Sequence, residues 1–472
     1  MNSPLNKFLL IAACGLFALM TAAVLLWFSP LLTKNVMFLA MIPFAALFVL
    51  VMFLDAKWMM ILLLYTRALL DPILNMTKLG DPAAGGQASG AGMGAVLNLL
   101  VIALVATLIF RFPKEIQGHR KFIKSWLIFL TVCFLSALFS PDRMRSFKLC
   151  MNFVTYLCIV LIPFIIVKDQ KDKKFWIKTL LFSSFIPVIM SYVGVATHFS
   201  FFYAFNRLRG TFTHSNILAF YMVFVVAVIF YILRTRQFRL SFGKKFALFI
   251  YMLMAITILV ITETRSAWIS CACLFLIYSL LKERKFFFIF IIVTPLVLMV
   301  PQIQTRLNDL SEGTGERKSD KLNSMAWRMQ LWQSSVDSIK RRPFFGYGLG
   351  SFEILSANFF KLEKKGAPAH NSYLELLFET GIIGLLSYLA IYWQAFQIFL
   401  IAMKSKVKEV STEAVLVFSY AMGYLLVGSA DNTLYYLAFN WYFWFFIGLI
   451  LQSMEFNKIA ADKKAASPAS PA

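Results

Sequence analysis

The stretch Ile217-Leu-Ala-Phe-Tyr-Met-Val-Phe-Val-Val-Ala-Val-Ile-Phe-Tyr-Ile-Leu233 decides the class of molecule. It holds no charged residue and runs directly into the basic segment Arg234-Thr-Arg-Gln-Phe-Arg239. As a helix rising about 1.5 Å per residue, it reaches most of the way across a hydrocarbon layer roughly 30 Å thick. Similar blocks recur at about 8–28, 36–54, 58–70, 95–110, 125–139, 150–167, 175–197, 246–261, 267–281, 286–300, 373–400, 414–428 and 434–451. Over 472 residues, 60% are hydrophobic and only 15% are charged, where a globular domain carries about a quarter. The expected fold is an all-α integral membrane protein of about 12–14 transmembrane helices with one large outer loop.

A net charge of +23 would suggest nucleic acid in a soluble protein. Here the cations sit in short loops between apolar blocks, so membrane lipids are the expected partners and nucleic acid is not. Loops 111–124, 168–174, 234–245, 282–285 and 404–413 carry 5, 4, 5, 3 and 3 basic residues. Among the loops between them, 140–149 has three, 198–216 two, 262–266 one and 429–433 none. That alternation orients both termini to the cytoplasm by the positive-inside rule.

The expected organisation is an N-terminal bundle over 1–300 with about 11 spans, an outer loop over 301–372, further spans over 373–457, and a disordered cytoplasmic tail over 458–472. The block Phe8–Phe28 reads as a retained first span. Residues 80–98 are glycine-rich and read as a flexible loop. In the outer loop, Trp332, Val336 and Ile339 repeat at helical spacing within Ala326–Arg341. They predict a helix lying on the membrane or across the bundle mouth and ended by Pro343. The six cysteines, Cys14, Cys133, Cys150, Cys158, Cys271 and Cys273, fall in or beside apolar blocks and read as packing residues.

Ionisable groups near membrane depth are costly unless paired or wet, so each is a candidate for function. Three clusters fall on the outer side. Asn206-Arg-Leu-Arg-Gly-Thr-Phe-Thr-His-Ser-Asn enters the span at 217 and places Arg207, Arg209, His214 and Asn216 where a loop becomes a helix. Helix N-termini favour anions, and two arginines strengthen that preference. The blander alternative has Asn216 or Ser215 as a cap and the arginines at lipid headgroups. Thr262-Glu-Thr-Arg-Ser puts Arg265 between two spans with almost no loop, where it either faces a wet cavity or pairs with Glu263. Ala369-His-Asn-Ser-Tyr starts the span at 373. There His370 is either a neutral imidazole able to accept a proton or a bystander beside a capping Asn371 or Ser372. Arg328 can add positive charge from the loop helix, a solvated helix face being the commoner reading of such a cation. No outward Asp-x-Asp, His-Glu-x-x-His or Cys/His metal spacing is present, so no metal and no cofactor is expected. The run Gly346-Tyr-Gly-Leu-Gly-Ser-Phe lacks the Lys-Ser/Thr of a phosphate loop and reads as turn chemistry.

The order of five pieces resembles the O-antigen ligase and polymerase superfamily of bacterial membrane glycosyltransferases. These are Arg209-Gly-Thr-Phe-Thr-His-Ser-Asn-Ile-Leu-Ala, Thr264-Arg-Ser-Ala-Trp, Trp327-Arg-Met-Gln-Leu-Trp, Pro343-Phe-Phe-Gly-Tyr-Gly-Leu-Gly-Ser-Phe and Ala369-His-Asn-Ser-Tyr-Leu-Glu-Leu-Leu-Phe-Glu-Thr-Gly. The resemblance covers roughly residues 200–400. It implies a multi-pass protein of the bacterial inner (cytoplasmic) membrane with its active site on the periplasmic or extracellular side. The donor would be a polyprenyl-diphosphate-linked glycan and the acceptor a glycan or lipid A–core. On this resemblance Arg209 and Arg265 hold the diphosphate, with Arg207 assisting. His370 activates the acceptor hydroxyl, and Tyr373 and Asn216 stand behind them. Transfer would be inverting and metal-independent. A transporter or flippase for a lipid-linked glycan is the alternative, but the chain has no internal repeat and its candidate charges gather at one face.

Overall fold

The computed structural model describes residues 55–76, 93–204, 206–299, 304, 324–362 and 366–466. The expected spans at 8–28 and 36–54, most of the glycine-rich segment, the polar stretch Glu312–Asp320 and residues 467–472 lie outside the described residues.

The described elements are α1 (Ala56–Leu69), α2 (Asp71–Met76), α3 (Met93–Arg111), α4 (Arg120–Leu138), α5 (Arg143–Ile166), α6 (Gln170–Phe182), α7 (Phe185–Thr197), β1 (Tyr203–Ala204), β2 (Arg207–Leu208), α8 (Ser215–Arg234), α9 (Phe242–Ile261), α10 (Arg265–Leu281), α11 (Lys285–Leu298), α12 (Ser324–Arg341), α13 (Phe352–Phe359), α14 (Ser372–Met403), α15 (Lys408–Val427) and α16 (Leu437–Ala466). Among the described residues the fold is all-α apart from the two-residue antiparallel pair β1–β2. Among the described residues, nine helices are long and apolar enough to cross a membrane, and α10 is a shorter apolar helix.

Local chemistry explains many boundaries. Asp55, Asp142 and Asp169 cap α1, α5 and α6, each accepting from a backbone N–H of the first turn at 2.8–2.9 Å. The block expected as one span over 175–197 is α6 and α7, which together make one of the nine candidate spans, over Gln170–Thr197; its helix is interrupted only where adjacent serines turn their hydroxyls onto the backbone. Ser183 Oγ donates to Leu180 O at 2.8 Å and Ser184 Oγ to Leu181 O at 2.6 Å. The tail expected to be disordered from residue 458 is helical as far as Ala466. Its Ala- and Lys-rich sequence continues the turn, and the Ser-Pro repeat begins only at Ser467.

α8 and α16 form the centre. Every residue of α8 from Ser215 to Ile232 is buried. Tyr221 and Phe224 meet Tyr442 and Phe446 of α16 edge-on or tilted, at 4.8–6.0 Å between ring centroids. Trp176 and Trp126 close the other sides of α16 against Phe445 and Trp444. The five described cysteines are all free, and all but Cys273 are buried.

The loops sort into two ends. The basic loops are joined to one another: Lys168 pairs with Glu115 at 2.6 Å and Lys173 with Glu413 at 2.8 Å. Gln237 also donates to Glu413, and Lys282 Nζ donates to Ser411 Oγ at 2.7 Å. The poorly basic loops meet at the other end, through Asp71 with Thr213, Arg145 with Glu353, and Asn216 and Ser266 with Asp431.

Over that second end lies a small layer of its own. α12 and α13 enclose a second core in which Leu331, Phe352, Phe360 and Phe378 are buried, with Trp327 and Ile339 packed against them. The helix expected over Ala326–Arg341 is present, but the side it packs is Trp327, Leu331, Ser335 and Ile339; Val336 is 40% exposed. Trp332 stands at the edge, where its Nε1 donates to Ala369 O at 2.7 Å. This layer is stitched into a break in α14 at Gly381, whose φ is +67°. Ile382 N donates to Pro343 O at 2.8 Å, and Tyr347 N and Gly348 N donate to the carbonyls of Phe378 and Glu379 at 3.0 and 2.9 Å. A Cβ on Gly381 would stand 2.1 Å from Phe344 O, so no other residue fits there. The glycine run 346–350 is turn chemistry, as its sequence predicts: Gly346, Gly348 and Gly350 all have positive φ.

Candidate active site

The first expected cluster is held from below. Asn206 in the left-handed region turns the β1–β2 hairpin, and the chain then passes through Arg209 to the start of α8. Thr211 Oγ1 donates to Ala68 O at 2.7 Å, and Thr213 donates from N and Oγ1 to Asp71 Oδ2 at 3.0 and 2.8 Å. Asp71 is itself paired with Arg67 at 3.0 Å, both 3% exposed or less. His214 is the cap of α8, its Nδ1 accepting from Asn216 N at 3.1 Å. In the neutral ring the proton therefore sits on Nε2. Burial, and then the charge of Arg207, lower the His214 pKa, while Asp431 acts upward.

The centre of the site is a residue that none of the three clusters contains. Asp431, 1% exposed between α15 and α16, accepts from four donors. Asn216 Nδ2 reaches its Oδ2 at 3.1 Å, Ser266 Oγ the same oxygen at 2.6 Å, and Asn432 N its Oδ1 at 2.9 Å. The Tyr436 hydroxyl donates to Oδ1 as well. The backbone carbonyl of Asp431 accepts from Ser372 Oγ at 3.0 Å, next to the start of α14. One residue thus ties together the starts of α8 and α10 through its carboxylate and that of α14 through its backbone carbonyl. The sequence signal was a lone carboxylate in a short loop between two apolar spans.

His370 precedes the cap of α14. Asn371 Oδ1 accepts from Tyr373 N and Leu374 N at 3.1 and 3.0 Å. The capping alternative is therefore right for Asn371. The His370 backbone is left-handed, with φ +50°. Its neighbour Ala369 is clamped on both sides, N donating to Glu375 Oε2 at 3.0 Å and O accepting from Trp332. The imidazole lies 6.3 Å from the Trp327 ring, and its Nδ1 is buried with no hydrogen-bond partner among the described residues. Burial, then the guanidinium of Arg328, push its pKa down to about 4, with the Asp431 carboxylate pulling the other way. The ring is neutral at physiological pH.

The arginines divide. Arg207 is consumed by structure: its Nε and Nη2 donate to Thr262 O at 3.0 and 2.7 Å, and Nη2 also reaches Thr264 Oγ1 at 2.7 Å and Asn216 Oδ1 at 3.2 Å. It holds the tight turn before α10. Arg209 donates from Nε to Phe201 O at 2.9 Å and lies over the Phe201 ring. Its Nη groups make no hydrogen bond among the described residues. Arg265 is half-buried as the first residue of α10, between Thr264 and Ser266 of the Asn216–Asp431 network. Arg328 Nη1 donates to Ala430 O at 2.7 Å, which brings the loop helix down onto the Asp431 loop. The Tyr373 hydroxyl donates to Leu425 O, so this residue braces α14 against α15.

Two further carboxylates were not singled out in the sequence. Glu375 accepts from Asn432 Nδ2 at 2.8 Å, and Glu379 accepts from Tyr435 OH at 3.1 Å and Phe352 N at 3.2 Å. They fasten the layer above the site to the bundle below it. Their spacing on one helix face was visible, but their partners lie in distant loops.

Comparison with known proteins points to the same region. Residues 249–389 match the family model described as O-antigen ligase. The chain is 21% identical over 344 residues to a Rickettsia typhi protein named for polysaccharide ligation, covering 66% of this chain and 81% of that one. A Rickettsia prowazekii protein of similar name gives 20% over 342 residues, with the same shares. An Acinetobacter baylyi ComP-specific O-oligosaccharyltransferase is 28% identical over 162 residues, covering 32% of this chain and 28% of that protein. Arg265, Arg328, His370 and Tyr373 fall inside residues 249–389, the part of the chain that matches the O-antigen ligase family model, and the relatives named for polysaccharide ligation and O-oligosaccharide transfer support the same superfamily.

Proposed function

We propose that this protein transfers a glycan from a polyprenyl-diphosphate carrier to an acceptor hydroxyl, as a ligase or a polysaccharide polymerase. The site faces the outer side of the bacterial inner membrane, and both termini are cytoplasmic. The observation that carries the reading is the His370 imidazole, neutral, with an unpartnered buried Nδ1, between the charge of Arg328 and the carboxylate of Asp431. The family match supports a membrane glycosyltransferase that passes glycan to an acceptor.

In this reading Arg209 and Arg265 hold the diphosphate. The acceptor oxygen attacks the anomeric carbon from the face opposite the diphosphate, which inverts that centre. The bond from the anomeric carbon to the diphosphate oxygen breaks, and its electron pair leaves with the diphosphate. The acceptor proton passes to His370. Charge grows on the leaving group in the transition state, where preorganised guanidinium groups act most strongly. A histidine held near pKa 4 is a weak base in the empty site. An arriving diphosphate offsets the Arg328 charge and raises its basicity, so proton acceptance is coupled to donor binding.

The test is a reaction of purified protein with a polyprenyl-diphosphate oligosaccharide, with separate acceptors, EDTA present and ATP absent. Release of polyprenyl diphosphate with a longer lipid-linked glycan identifies a polymerase; glycan on lipid A–core identifies a ligase. Absence of transfer to any acceptor, with donor crossing proteoliposomes, overturns the reading in favour of transport.

A further inference from the structure

At the end of the bundle away from His370, a cavity of about 410 Å³ lies among the ends of α8 and α10 and the starts of α9, α11 and α15. This volume falls within the roughly 300–1,000 Å³ of small-molecule sites. Six cations line it: Arg234, Arg236, Lys245, Lys282, Lys285 and Lys408. They face two carboxylates, Glu283 and Glu409. Glu283 is already engaged, pairing with Arg234, with Lys285 at 3.3 Å, and accepting from Tyr278 OH at 2.8 Å. Lys282 is tied to Ser411. Arg236, Lys245 and Lys408 form no ion pair among the described residues.

A positive-inside bias alone asks only for cations on a loop surface. Here they come from five segments and converge on one concave volume, where like charges repel unless an anion enters. Phe242 is 84% exposed, Phe246 57% and Leu281 51%, at the same ends of α9 and α10. A ligand suited to this place carries phosphate on the cationic wall and acyl chains that can lie along the exposed apolar ends of α9 and α10. Basic pockets between transmembrane helices take such headgroups.

We propose that the cavity binds the headgroup of an anionic phospholipid bearing at least two negative charges. The full-length protein, purified in detergent, is titrated with cardiolipin, with phosphatidylcholine, and with inorganic diphosphate, and bound ligand is counted by native mass spectrometry. Cardiolipin is expected to bind where phosphatidylcholine does not. The variant Arg236→Gln/Lys245→Gln/Lys408→Gln is expected to bind it at least about tenfold more weakly, as the loss of three headgroup cations implies. A control, Lys121→Gln/Lys124→Gln/Lys406→Gln, removes the same charge from exposed positions outside the cavity lining and retains full affinity. Equal loss in both variants overturns the proposal, because attraction would then be to overall charge. Inorganic diphosphate that binds as tightly as cardiolipin and displaces it also overturns the proposal, by making the cavity a site for a soluble phosphate.

Discussion

The two ends of the bundle use cations in opposite ways. At the His370 end the arginines packed beneath the site are largely committed: Arg207 to the 262–264 turn, Arg328 to Ala430 O, Arg67 to Asp71. At the other end there are many, and three of those lining one cavity have no ion partner among the described residues. What each cation is bonded to reports whether it is free to meet a substrate. Arg207 and Arg209, two residues apart and indistinguishable by type, fall on opposite sides of that line.

The comparison can be broken most decisively at His370. Replacing it by Asn, which tolerates the left-handed backbone, should reduce transfer by about 10²–10⁴-fold, while donor binding and melting temperature change little. Retained turnover would remove His370 from the chemistry. Next, Arg209→Ala should reduce turnover by roughly 10–100-fold with little loss of thermal stability, since its Nη groups support nothing in the fold. Arg207→Ala should instead destabilise, by about 1–3 kcal/mol, because it strands the buried groups it now satisfies. Equal melting shifts in the two would erase the distinction.

Asp431→Asn presents an amide N–H₂ to a ring of donors and should cost about 1–3 kcal/mol in denaturant unfolding. Wild-type stability here would show that the four hydrogen bonds are incidental. A smaller effect is expected with pH. The folded His370 is held at about 4, against about 6.5 in the unfolded chain, so between these values the unfolded state binds the proton first. Stability from this group is thus complete above about pH 6.5 and falls as the pH drops towards 4, by at most about 1.4 kcal/mol per unit. His214, lowered in the same direction, adds to it. The difference in unfolding free energy between wild type and His370→Asn, followed across that window, isolates the term, and a flat difference refutes it. Smallest of all, Lys404→Ala on the basic end should leave transfer unchanged.

Much of this was legible in the sequence because it is set locally. An apolar block makes its helix wherever it lies, and each of the expected spans from 58–70 onward that falls on described residues coincides with one or two helices. The residues of the three clusters were legible because polar groups beside spans stand out. Asp431 was hidden because its importance lies in partners at 216, 266 and 436, which only the packed bundle brings to it. The face of α12 was misread for a similar reason: a helix with a single tryptophan edge offers several stripes, and the one chosen is fixed by Phe352, Phe360 and Phe378. The break in α14 was invisible because one glycine within a span is commonplace; here the carbonyl of Pro343 settles it.

That break has a consequence for biosynthesis. The strand of loop that fills it, Pro343 to Gly348, leaves the ribosome before α14 does. The loop must therefore already be in place when α14 packs, or the amide of Ile382 is left with nothing to bond. Assembly of this protein is ordered by its own chain, and an insertion that delayed or tethered residues 343–348 would stall the helix that follows rather than the loop itself.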